Sequence, residues 1–154
     1  MKSARLELLK VDDRHFLFAM ITALANRMQM VGDTFFQEVT WKQWFVLLGI
    51  SIFTTPPSIM QLADTIGTSH QNVKQLLLRL QRAEYVRLEK DPADQRRTLV
   101  HLTERFSDFE RKYQEESMEF ISQMYKGIDE KDILIARKVL ESIEANLKRF
   151  SGKA

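Results

Sequence analysis

Apolar residues in the middle of the chain recur at two different periods. Ile59, Leu62, Ala63 and Ile66 share one face of a short helix, and Val73, Leu76, Leu77 and Leu80 one face of a second. Gly67 stands between them, and glycine accepts the left-handed backbone at which helices often stop. Thr68 or Ser69 caps the second helix. The period then drops to two. Val86-Arg87-Leu88-Glu89-Lys90 and Thr98-Leu99-Val100-His101-Leu102 alternate around the turn-rich Asp91-Pro92-Ala93-Asp94-Gln95-Arg96-Arg97. This predicts a β-hairpin with Val86, Leu88, Val100 and Leu102 facing inward.

The flanks are helical only. Residues 3–11 read as a short amphipathic lead-in with Leu6, Leu8, Leu9 and Val11. Phe16, Met20, Leu24, Met28 and Val31 then mark a helix over about 13–31, capped by Asp12 or Asp13 and closed by Gly32-Asp33. Thr40-Trp41-Lys42-Gln43 is a capping box, and the helix it opens carries Trp41, Trp44, Phe45, Leu48 and Ile52 on one face; its apolar content predicts that it is largely buried. Ser58/Gln61 and Thr68/Gln71 fit the same box. After the hairpin, Thr103 or Ser107 starts a long helix that Gly127 ends. Asp129-Glu130-Lys131-Asp132 opens the last, with Ile133, Ala136, Leu140, Ile143, Leu147 and Phe150 at heptad spacing.

Composition adds bounds. The chain of 154 residues is 44% hydrophobic and 29% charged, the balance of a soluble globular protein of one domain. It holds no apolar run long enough for a membrane span and no secretory signal at Met1–Glu7, so a cytoplasmic protein is expected. The absence of cysteine excludes a thiol redox switch and a thiolate metal site. Net charge is only +2, but its distribution is uneven: Lys74, Arg79 and Arg82 lie in a stretch without a carboxylate from Asp64 to Glu84.

That stretch carries the candidate chemistry. The polar face of the second helix offers Ser69, Gln71, Asn72, Lys74, Gln75 and Arg79. Amide side chains pair a donor with an acceptor and suit base edges, while Lys and Arg suit phosphate or guanine. Gln71, Asn72 and Gln75 are therefore the expected base readers. Ser69, Lys74 and Arg79 would hold the backbone, and His70 would touch phosphate. An arginine at a hairpin tip can enter a minor groove, where the negative potential is strong. Arg96 takes that role and Arg97 a phosphate contact, while Asp94 either shapes the turn or orients Arg96.

The order helix-turn-helix, Asp91-Pro-Ala-Asp94-Gln-Arg96-Arg97, then Leu99-Val100-His101-Leu102-Thr103 resembles the winged-helix core of the MarR family of bacterial transcription regulators. Asp94 and Arg96 match that family's Asp-x-Arg wing element, and Leu102-Thr103 its Leu-Thr pair. Glu84 and Phe106 stand where the family usually has glycine. The resemblance implies a mainly α fold with a small β-wing, a winged-helix DNA-binding lobe over 40–103, and dimerisation helices over 1–32 and 104–154. It implies a homodimer interlocked through Leu6, Leu9 and the 133–150 stripe. Such a dimer would bind a pseudo-palindromic double-stranded operator, most often as a repressor. It further implies a small, often aromatic effector, for which Phe16, Met20, Trp41, Trp44 and Phe45 are the candidate pocket, though the same residues would also serve as plain core.

Other readings are poorer. There is no Gly-rich phosphate loop and no Gly-x-Ser-x-Gly, so no enzyme is expected and no cofactor. His15, His70 and His101 fall in separate elements, so no metal site is expected either. The rival reading from another class is a winged-helix protein-interaction module that does not bind DNA.

Overall fold

The computed structural model describes residues 12–151, so the lead-in expected over residues 3–11, with Leu6 and Leu9, lies outside the described residues. The described chain folds into six helices and a two-stranded antiparallel sheet. The fold is mainly α with a β-wing, as the periodicities predict. It divides into two compact units, and the break falls between Phe109 and Glu110.

In the first unit, helix α1 spans Asp13–Phe35. The Asp12 carboxylate accepts from the N–H groups of Arg14 and His15 at 2.9 and 3.3 Å, and its second oxygen meets His15 Nδ1 at 2.5 Å. The His15 ring first, and the backbone N–H groups next, hold Asp12 below the usual carboxylate range. Gly32-Asp33 does not end this helix, contrary to expectation. Gly32 is buried, and a Cβ there would lie 1.9 Å from Trp41 Cε3. The glycine makes room for an indole. Asp33 next to it accepts from the Trp41 N–H at 2.8 Å, satisfying one of the donors that the next helix leaves open at its start.

Helix α2 covers Trp41–Ser51, and Thr40 and Gln43 close the expected capping box. Its buried face is Val46, Leu47, Gly49 and Ile50, while Phe45, Leu48 and Ile52 are exposed. This corrects the expected stripe and the expectation of a largely buried helix. The helix is apolar nearly all round, so spacing fits either face. Gly49 decides, since a Cβ there would come within 2.6 Å of Ile66 Cγ2.

Helix α3 (Ile59–Thr65) carries the second capping box, and Gly67 follows it at φ 67°. Helix α4 (His70–Arg82) is capped by Ser69, whose hydroxyl accepts from the Asn72 N–H at 3.2 Å. The expected Thr68/Gln71 box is thus replaced by a single cap one residue later. Strands β1 (Val86–Lys90) and β2 (Thr98–Leu102) have the predicted bounds, with Val86 opposite Leu102 and Leu88 opposite Val100. Val86 and Val100 are buried. A bridge between Ser58 and Leu99, and a 2.9 Å bond from the Val100 N–H to the Pro57 carbonyl, lash the entry of α3 to the wing.

Glu84, between α4 and β1, adopts φ 61°. The resembled family has glycine there, and this chain keeps the left-handed backbone without it. The Thr103 hydroxyl donates to the Glu84 carbonyl at 2.6 Å and braces the turn. Tyr85 beside it is buried, donates to Glu38 Oε2 at 3.0 Å and lies under the Arg105 guanidinium at 5.1 Å. Burial, then the Glu38 carboxylate, pushes its hydroxyl above the ordinary tyrosine value. Helix α5 (Glu104–Met124) begins in this unit, and its Phe109 packs on Tyr85 and Phe36.

The second unit holds the rest of α5 and helix α6, Glu130–Ser151. Gly127 turns the chain at φ 78°, and Asp129 accepts from the Lys131 N–H at 2.9 Å. Along the heptad stripe of α6, Ile133 and Ile143 are half-buried, whereas Leu140, Leu147 and Phe150 are exposed. No helix of the described residues is long and apolar enough to cross a membrane.

Candidate nucleic-acid interface

Val73, Leu77 and Leu80 of α4 are completely buried. With about 100° between successive residues, the outermost positions are then Gln71, Gln75, Leu78 and Arg82. Lys74 and His70 turn toward the wing, and Asn72 and Arg79 toward the other flank. All of these polar residues are exposed. The Asn72 amide donates to Thr68 Oγ1 at 2.9 Å, and the Ser69 hydroxyl is engaged as the cap. Of the three expected base readers, Gln71 and Gln75 face squarely outward, while Asn72 is tied to its own turn.

Between α4 and the wing lies a cleft of about 620 Å³. His70 and Lys74 line it from the helix, Lys90, Arg96, Arg97 and Thr98 from the wing, and residues 58–61 with Asp64 from α3. Four Lys and Arg side chains converge there around one carboxylate. A concave, cationic surface of this kind attracts phosphate and releases its counterions.

At the wing tip Asp94 fills both roles expected of it. One of its oxygens accepts from the Arg96 backbone N–H at 3.1 Å and from Arg96 Nε at 3.2 Å. The Arg96 side chain first, then its backbone N–H, lowers the Asp94 pKa. The Arg96 side chain is nonetheless 92% exposed, so it is aimed rather than covered. Arg97 is different. Its Nη2 donates to Gln61 Oε1 at 3.2 Å, and Nη1 stands 3.6 Å from Asp91 Oδ2. The three histidines lie apart: His15 on the α1 cap, His70 in the cleft, His101 with Nε2 3.2 Å from Glu89 on the hairpin.

Comparison with known proteins identifies this architecture. Residues 37–97 match the sequence model of the MarR family. The matched stretch runs from just before α2 through the helix-turn-helix to the wing loop. Among solved structures, a MarR/EmrR family transcriptional regulator from Acinetobacter sp. ADP1 superposes with TM-score 0.79 at 16% identity, over 90% of this chain and 99% of that one. PcaV from Streptomyces coelicolor, solved with its natural ligand, gives TM-score 0.74 at 16% identity over 88% and 96%. FabT from Streptococcus pneumoniae, solved in complex with DNA, gives 0.63 at 16% identity over 90% and 99%. At these identities the likeness is one of fold. No curated protein sequence matches this chain.

The winged-helix lobe also places the aromatic residues. Trp41 and Phe45 share a second cleft of about 230 Å³ with Ala25, Gln29, Lys42 and Val46, and its far wall is Ile66, Thr68, Asn72 and Leu76. Phe16, Met20 and Trp44, expected beside them, do not line it. The Trp44 ring is taken up by Phe36 and Trp41, with ring centres 5.3 and 4.7 Å away. Phe16 and Met20 sit two turns or more along α1 from Gln29. Sequence reasoning missed Gln61, Asp91, Lys90 and the outward Leu78. Gln61 was legible only as a cap partner, and nothing in its spacing shows the second bond that it accepts across 36 residues.

Proposed function

We propose that this protein is a sequence-specific, double-stranded DNA-binding transcription regulator that acts as a homodimer, of repressor type and tuned by a small effector. One observation carries the reading. A carboxylate-free outer helix face with Gln71 and Gln75 at its crest flanks a cleft in which Lys74, Lys90, Arg96 and Arg97 gather. The helix lies in the major groove, Gln71 and Gln75 meet base edges, Lys74 and Arg79 hold phosphates, and Arg96 enters the adjacent minor groove. The DNA complex of the similarly folded FabT supports this reading.

The homodimer rests on apolar helix faces left open within each unit. On α1 these include Phe18, Leu24 and Val31, and on α6 Leu140 and Phe150. A two-fold pair reads a pseudo-palindrome whose half-sites lie about 10 bp apart. The cleft at Trp41 and Phe45 suits a single-ring apolar or aromatic effector, being smaller than the usual drug-sized pocket of about 300–1,000 Å³. Such a ligand regulates only by preferring one arrangement of the dimer over another. The site of action is the cytoplasm, where an operator is accessible.

Selection from a random duplex pool tests the reading. Two-fold symmetric sequences should be enriched, and Arg96→Ala should weaken binding to them by about 1–3 kcal/mol. A chain that enriches nothing and ignores random duplex even at low salt is an interaction module instead.

A further inference from the structure

Gln61 makes an unusual pair of contacts. Its Oε1 accepts from the Ser58 N–H at 2.9 Å, which completes the α3 capping box, and from Arg97 Nη2 at 3.2 Å. The other arm of the same guanidinium faces Asp91, which is 13% exposed, at 3.6 Å. The Asp91 N–H donates to the Arg97 carbonyl at 3.1 Å, and the Arg97 N–H to the Asp94 carbonyl at 2.9 Å. Arg97 therefore closes the base of the loop that presents Arg96, and fastens it to α3. Its charge is balanced where it stands by Asp91. The planar fork of arginine suits two partners at once, which a lysine ammonium does not.

We propose that Arg97 is a strut rather than a phosphate contact, and that Gln61 is a positioning residue that sets the reach of Arg96 into the minor groove. This rests on the DNA-binding reading above. Binding energy lost through misplacement is separable from binding energy lost with a phosphate contact. A phosphate contact releases counterions, so removing it flattens the salt dependence of affinity by about one unit, and lysine replaces arginine there tolerably well. A strut does neither.

The test uses the full chain and its selected duplex. Arg97→Ala should weaken binding at least about tenfold, the scale of one well-placed groove contact, with the salt slope kept, whereas Lys74→Ala flattens it by about one unit. Arg97→Lys should bind within about threefold of Arg97→Ala, because one ammonium cannot span Gln61 and Asp91. In the Gln61→Ala background, Arg96→Ala should cost less than it does alone, since the pair acts as a unit. A slope that falls by one with Arg97→Ala, full binding by Arg97→Lys, or additive losses for Gln61 and Arg96 would overturn the proposal. Amide exchange in the free protein decides the strut independently of DNA. Exchange at Asp91 and Arg97 should quicken at least about tenfold in Gln61→Ala and stay slow in Gln61→Glu, which keeps both acceptor contacts. Unchanged exchange in Gln61→Ala sinks the strut even if DNA binds, and quickened exchange without any DNA binding sinks only the regulator reading.

Discussion

Helices α4 and α6 follow one design and meet opposite ends. Each carries an apolar stripe along a charged helix. In α4 the stripe is sealed: Val73, Leu77 and Leu80 are fully buried within the winged-helix unit. In α6 Leu140 is 51% exposed, Leu147 56% and Phe150 75%. Its outer face is instead supported locally, by Arg137 with Glu141 at 2.8 Å and Lys148 with Glu144 at 3.5 Å. Such i,i+4 pairs stabilise a helix by only about 0.2–0.5 kcal/mol each. Amphipathicity thus says that a helix needs a partner, and only the structure says whether its own chain supplies one.

The sharpest way to break this contrast is a matched pair of truncations. Leu77→Ala should cost about 2–5 kcal/mol of stability whatever the protein concentration, because it opens a cavity in a closed core. Leu140→Ala should instead lower the melting temperature in a concentration-dependent way and raise the dissociation constant of the proposed dimer in sedimentation equilibrium. A concentration-independent loss in both would mean that α6 is sealed within its own chain.

Gly32 tests how tightly the winged-helix unit is closed. Gly32→Ala drives a methyl into the Trp41 ring, and thermal unfolding should show a loss of about 1–3 kcal/mol. A neutral result would mean that the indole moves aside freely. Glu84 runs the other way. A side chain in the left-handed region costs about 1–2 kcal/mol that glycine avoids, partly offset by the chain entropy of glycine. Glu84→Gly should therefore raise stability by roughly 0.5–1 kcal/mol in urea unfolding. A loss would show that the Thr103 bond has already relieved the turn.

The smallest effect is a pH effect at the wing. Arg96 depresses the Asp94 pKa, so the contribution of this carboxylate is complete above its unfolded value and fades only as pH falls through the lower folded one. Amide exchange at Arg96 should keep its protection from about pH 8 to about pH 5 and lose it only in stronger acid. Asp94→Asn should remove that acid step. Loss of protection near neutrality would mean that another group holds the turn.

Much of the winged-helix unit was legible because its residues obey one period at a time. The strands fell at Val86–Lys90 and Thr98–Leu102 because alternation and turn residues agree there. The caps at Thr40 and Ser58 were legible because the amide three residues on completes each box. Legibility failed where one residue type serves two purposes. Gly32 reads as a stop but is a contact surface for Trp41, and α2 is too apolar on all sides for its spacing to choose a face. At the interface, Arg96 with Asp94 could be paired from adjacency. Arg97 with Gln61 could not, because only the fold brings two segments so far apart in sequence together.

The bridge from Ser58 to Leu99 and the bond from Val100 to Pro57 join hairpin and helix-turn-helix into one hydrogen-bonded body. If the chain binds DNA as proposed, each copy behaves as a gauge of fixed width along a duplex. An extra base pair inserted between the stretch under α4 and the stretch under Arg96 finds no slack to take it up, and is felt as a full step out of phase.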